Sequence, residues 1–224
     1  MRTIMKWQGA VILIAAVLSC STGTVTGKDN YEFWSQFGAT VELNEKWELE
    51  FEQELKFGDD ASRLYSQNAD SGIVYKGLAS WLDVGLNFLR EYETDDEGVW
   101  HPENRPHLNI KANTPISGCD ISNRARFDYR GLETEPDYWR YRHMLKVKFP
   151  GKYTSLKLQP YVAEEPFLYL NGDGFIKNRL YSGVGFTLSR RFSGALFYLC
   201  ESKKSQGQWD ANHIIGTNIV LHLQ

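Results

Sequence analysis

Four glutamates in alternate positions, Glu48, Glu50, Glu52 and Glu54, and two rows of alternating arginines are the residues whose types and spacing could do chemistry. The first arginine row is Arg124, Arg126 and Arg130, with Asp128 on the same face; the second is Arg140 and Arg142, continued by Lys146 and Lys148. A further basic set, Arg105, His107 and Lys111, keeps the same parity. Apolar residues fill the other parity: Trp47, Leu49, Phe51, Leu55 and Phe57 beside the glutamates, and Ala125, Phe127, Tyr129, Trp139, Tyr141 and Leu145 beside the arginines. A period of two puts every charge of a row on one face of an extended strand. Facing rows of opposite fixed charge do one of two things. They neutralise each other as interlocked ion pairs inside a closed sheet, or they line a narrow passage and screen solutes by charge.

Neither role needs a nucleophile, and the sequence supplies no convincing one. His143 lies on the apolar face of its strand with Asn123 expected diagonally beside it, which gives a base and an orienting partner. Ser122 points to the opposite face and Ser182 is expected two strands away, so no catalytic residue is assigned and no enzymatic activity is expected. Asp59, Asp60, Asp95, Asp96 and Glu97 fall in loops without the ordered spacing of a calcium site. The five histidines show no zinc spacing. No metal or cofactor is expected. Cys119 and Cys200 are placed near opposite ends of a sheet ~25 Å tall, too far apart for a bridge that needs Cα atoms within about 7 Å, so two free thiols are expected.

Positioning such rows takes strands. Alternation and turn residues predict them over Tyr31–Leu43, Trp47–Phe57, Arg63–Lys76, Trp81–Tyr92, Trp100–Ala112 and Asp120–Arg130. They continue over Tyr138–Phe149, Leu156–Leu170, Lys177–Leu188, Phe192–Glu201 and His213–Leu223. Tight links (Asn44–Lys46, Gly77–Ser80, Pro150–Thr154, Ser189–Arg191) alternate with longer polar loops (Glu93–Asn104, Gly131–Asp137, Ser202–Ala211). That is the pattern of an all-β, transmembrane, antiparallel up-and-down β-barrel. Eleven segments conflict with the even strand number of bacterial single-chain barrels, and they start the first strand at the loop end. Ten or twelve strands are therefore expected, with either Tyr31–Leu43 or Leu156–Leu170 misread.

A soluble, extracytoplasmic ligand-binding barrel would show the same alternation with its charges outside. Tryptophan placement favours the membrane. Trp34, Trp47, Trp81, Trp100, Trp139 and Trp209 all sit at or near strand starts, where an interface girdle of amphipathic rings belongs. The N-terminus agrees. Arg2 and Lys6 precede the apolar run Ala10–Leu18 and small residues to Gly27, a signal peptide over residues 1–27 ahead of a barrel domain over 28–224. Lipidation at Cys20 is the alternative reading of that segment. A net charge of −3 and the lack of a basic tail or nucleic-acid motif nominate no nucleic-acid partner. The expected partners are outer-membrane lipid and, if the interior conducts, a small polar solute; the expected location is a bacterial outer membrane.

Several segments in their order also resemble a bacterial family, the domain of unknown function 2490. They are Ser62-Arg63-Leu64-Tyr65, Arg105-Pro106-His107-Leu108, Asn123-Arg124-Ala125-Arg126 with Tyr129-Arg130, and Tyr138-Trp139-Arg140-Tyr141-Arg142. Pro160-Tyr161-Val162 and Asn178-Arg179-Leu180-Tyr181-Ser182-Gly183-Val184-Gly185-Phe186 complete the likeness, which covers nearly all of the chain after the leader. The resemblance implies an outer-membrane β-barrel and carries no activity. Leu223-Gln224 replaces the terminal aromatic residue of many such barrels.

Overall fold

Each run of alternating hydropathy forms a strand in the computed structural model of the chain, which describes residues 31–133, 136–150, 154–205 and 207–223. The expected leader and Cys20 lie outside the described residues. The strands are β1 (Tyr31–Asn44), β2 (Trp47–Gly58), β3 (Arg63–Ala79), β4 (Leu82–Thr94), β5 (Trp100–Ile116) and β6 (Cys119–Leu132). Then come β7 (Tyr138–Lys148), β8 (Gln159–Tyr169), β9 (Gly174–Thr187), β10 (Phe192–Ser205) and β11 (Gln208–Leu223). They close into one barrel in which every strand pairs with its neighbours in sequence.

Among the described residues the strand number is eleven, between the ten and twelve expected. Strands that alternate in direction leave the first and last of an odd set running the same way, so β1 and β11 pair in parallel, from Tyr31↔His213 to Val41↔Leu223. Both segments under suspicion are single strands, β1 and β8, and β1 does begin at the loop end. The even-number rule, not the reading of the segments, is what the topology overturns.

Turn chemistry sets one end. Asn44 Oδ1 accepts from the amides of Lys46 and Trp47 at 2.9 and 3.1 Å. Ser117 and Gly118 both have positive φ, 51° and 82°, the two-residue turn whose twist suits a hairpin. The same end carries the longest connection, Lys148 to Gln159, because β8 begins three residues later than Leu156. At the other end the expected long loops contract. β4 and β5 continue until only Asp95–Val99 links them, and β10 and β11 run on to Ser205 and back from Gln208.

The two faces have opposite character. Outward residues include Leu49, Phe51, Ile73, Leu86, Phe88, Leu145, Leu196 and Ile215, all exposed, with Leu86 at 63%. Inward residues include Asp128 and Glu165, both 0% exposed. Arg90 and Glu164 interrupt the apolar exterior. Each is held by a neighbour: Arg90 donates to Asn104 at 2.6 Å, and Asn178 donates to Glu164 at 3.2 Å.

The interior is itself divided. β1, β8, β10 and β11 contribute an apolar cluster of Trp34, Tyr161, Phe197, Leu199 and Ile214, with Tyr181 packed against it. Burial of each such side chain stabilises the fold by about 1.5–3 kcal/mol. Gly183 makes room for it, since a Cβ there would lie 2.7 Å from the Tyr161 ring. The charged rows face this cluster from β2 to β7.

Candidate functional site: a charged lumen with a waist

Toward the loop end the lumen is laced by ion pairs. Lys56 reaches Glu91 at 3.0 Å, Glu91 also binds Arg105, Arg105 reaches Glu103 at 2.8 Å, and Glu103 binds Arg130. Asp128 takes Arg140 at 2.8 Å. Glu165 gathers Arg124 at 2.7 Å, Arg142 at 2.8 Å and Arg179 at 3.9 Å. Glu201 pairs with Lys177 at 2.8 Å and Arg179 at 2.6 Å. The aromatic wall joins in: Arg142 lies over Phe167 with 4.7 Å to the ring centre, and Arg179 over Trp34 with 4.8 Å. Charges taken from water persist only when paired and hydrogen-bonded, and here they are.

The glutamate row of β2 behaves differently. Glu48 pairs with Lys76 at 2.8 Å, and Glu54 lies 3.9 Å from Lys56. Glu50 and Glu52 make no ion pair or hydrogen bond among the described residues. Glu52 faces inward yet is exposed, because it projects into open lumen space. The sequence predicts that the acidic row of β2 and the basic rows interlock across the barrel; instead, among the described residues, that row pairs only with Lys56 and Lys76. Hydrogen-bonded strands are about 4.8 Å apart, so an arginine meets an acid on an adjacent or nearby strand before it can span the lumen.

Two cavities occupy the interior. One, of about 410 Å³, extends from Glu93 and Lys203 near the loop end down to Lys146. The other, of about 380 Å³, extends from the same level to Glu48, Lys76 and Asp83 near the turn end. Glu52, Asp70, Arg124, Arg126, Met144 and Lys146 line both, and so form the waist between them. Arg126 there has loose ties: its Nε donates to Asn109 at 2.8 Å, and Nη1 lies 3.9 Å from Asp70. Lys146 rests on the Tyr161 ring, 3.8 Å from its centre. Lys111 and Glu50 line the turn-end cavity, and buried His107 sits beside Asp70 at 3.3 Å.

All twelve charged residues expected inside do face the lumen side of their strands. Sequence reasoning missed the acids that pair with the arginines, chiefly Glu91, Glu103, Glu165 and Glu201, and the cations Lys177 and Arg179. Glu165 shares its face with Tyr161, Ala163, Phe167 and Tyr169, so hydropathy would turn that face outward. The visible signal was Glu164-Glu165, one carboxylate on each face.

Of the six tryptophans expected at the membrane interface, Trp47 and Trp81 are exposed at the turn end, and Trp100, Trp139 and Trp209 at the loop end. Trp47 packs on Tyr75 and Trp139 on Tyr129, with ring centres 4.6 and 5.2 Å apart. Trp34 departs from the expectation. It faces inward, 3% exposed, because β1 starts three residues earlier and the even positions of that strand point to the lumen.

The remaining candidates stay apart. Asn123 is diagonal to His143, as expected, but the outward neighbours of His143 are Tyr141, Leu145 and Ala125, and its ring bonds the Tyr141 hydroxyl at 3.1 Å. Ser182 pairs with Val162 and Tyr198 instead. Asp59 pairs with Arg63 at 2.7 Å, and Asp95 organises its own loop. No disulfide joins Cys119 to Cys200.

The sequence matches, over residues 31–212, the family described as protein of unknown function (DUF2490), and the chain belongs to that family. Among curated proteins none matches it.

Proposed function

We propose that this DUF2490 protein is an outer-membrane β-barrel whose lumen is a narrow, charged passage for small polar solutes. One observation carries the reading: a closed sheet presents apolar side chains outward and keeps its rows of charged side chains inside. Water would reward the reverse arrangement, and a bilayer rewards this one, because a closed ring leaves no open sheet edge and only alternate residues meet lipid. Exposed tryptophans at both strand ends suit the two interfaces. A soluble ligand-binding barrel would have to leave its large apolar exterior in water.

Passage rather than a closed scaffold is favoured by the two cavities that meet at a common waist and by Glu52 there and Glu50 beside it, which lack ion-pair partners among the described residues. A purely structural interior would be expected to pair them. No reaction is assigned, and lipid is the proposed partner.

Refolded protein in a planar bilayer tests this. Discrete conductance steps are expected, with ion selectivity that changes when Glu50→Gln is combined with Arg126→Gln. A folded barrel that never conducts would contradict the passage.

A further inference from the structure

The waist has opposite charge on opposite walls. Glu52 on β2 and Asp70 on β3 form the acidic side, with Glu50 next to them in the turn-end cavity; Arg124 and Arg126 on β6 and Lys146 on β7 form the basic side. β2 and β7 are five strands apart in a ring of eleven, which places them across the lumen from one another. The charges are available. Glu50 and Glu52 have no ion pair, and no carboxylate lies within 4.0 Å of the Lys146 ammonium, among the described residues. Asp70 is 7% exposed, and its Oδ1 has no hydrogen-bond partner; Nε of Arg124 is likewise unpartnered. Glu52 and Lys146 therefore stand open at the waist, Asp70 and Arg126 meet only at 3.9 Å, and Arg124 keeps an unpartnered Nε beside its pair with Glu165, so these groups can take a further partner.

We propose that the waist selects small zwitterions, molecules that carry an ammonium group at one end and a carboxylate at the other, as amino acids do. The inference rests on the passage reading above and adds the solute class. Opposed walls create a field across the lumen, and a zwitterion lying crosswise satisfies both ends at once: its ammonium meets Glu50, Glu52 and Asp70, and its carboxylate meets Arg124, Arg126 and Lys146. An ion of either sign is attracted by one wall and repelled by the other. An uncharged molecule of the same size gives up hydration and gains no ion pair. Each cavity is large enough for a molecule of amino-acid size.

Proteoliposome swelling with glycine and its uncharged isomer glycolamide separates the cases, each corrected for protein-free liposomes. Glycinamide supplies a cation of similar size and glycolate an anion. Glycine is expected to enter about threefold faster than glycolamide, the advantage one solvated ion pair supplies. It should also enter faster than either ion. That advantage should vanish in Glu52→Gln and in Arg126→Gln, with folding checked by the gel shift between heated and unheated protein. Glu52→Gln breaks no ion pair, so loss of fold cannot stand in for loss of selectivity. Entry of all four solutes with no preference for glycine would overturn zwitterion selection and leave the passage standing. No entry of any solute would overturn both.

Discussion

At the scale of single residues, the lumen contains two kinds of carboxylate. Glu165 is wholly buried and holds three guanidiniums together. Its removal leaves Arg124 and Arg142 without a carboxylate partner, beside an Arg179 that keeps only Glu201, so Glu165→Ala should destabilise the barrel by about 3–5 kcal/mol. Glu52 touches nothing charged, and Glu52→Gln should change stability by less than about 0.5 kcal/mol. Urea unfolding in detergent or vesicles measures both. Equal effects would contradict the division of the lumen into paired and open charges. A third kind lies outside the strands. The His101 ring beside Asp95, with the amides of Val99 and Glu97, holds that carboxyl below its usual range. A carboxylate with a depressed folded value contributes order that is complete above its unfolded value, about 4, and is lost as the pH falls through the folded one. Exchange protection of the Val99 and Glu97 amides should therefore hold at neutral pH, fall away below about pH 4, and be missing at all pH in Asp95→Ala. Protection unchanged at about pH 2 would contradict the bond.

At the scale of elements, the seam decides the topology. Phe37 on β1 and Ile219 on β11 are register partners that both face outward. Neighbouring strands lie about 4.8 Å apart, inside the range a disulfide needs. Phe37→Cys with Ile219→Cys, in a chain with Cys119→Ser and Cys200→Ser, should cross-link on oxidation; Phe37→Cys with Ile215→Cys, four residues out of register, should not. The reverse result would mean that β1 does not close the barrel in parallel. The strands themselves were legible in the sequence because charge and apolarity alternate over ten residues or more in β2, β6 and β7. The seam was not, because no local pattern records which strand lies beside the first. Faces were legible where charges mark them. They were not in β8, where Tyr161, Phe167 and Tyr169 point inward with Glu165 and the alternation loses its sign. Trp34 was misplaced for the same reason: an aromatic ring near a strand end serves an interface or a packed interior equally well.

At the scale of the whole molecule, the chain is arranged with its apolar surface outside and its ion pairs within. On the proposed reading that arrangement suits contact with hydrocarbon, because exposed Leu86, Leu196 and Ile215 would meet lipid and the charged lumen would not. The bilayer, the passage and the zwitterion filter all depend on it. Nitroxide labels placed singly at Leu86, Leu196, Ile215 and Glu52 in reconstituted protein test it most directly, through relaxation by dissolved oxygen and by a water-soluble nickel complex. The three outward sites should respond to oxygen and ignore nickel, and the label at Glu52 should do the opposite. Strong nickel relaxation at Leu86, Leu196 and Ile215 would place that surface in water and contradict the account.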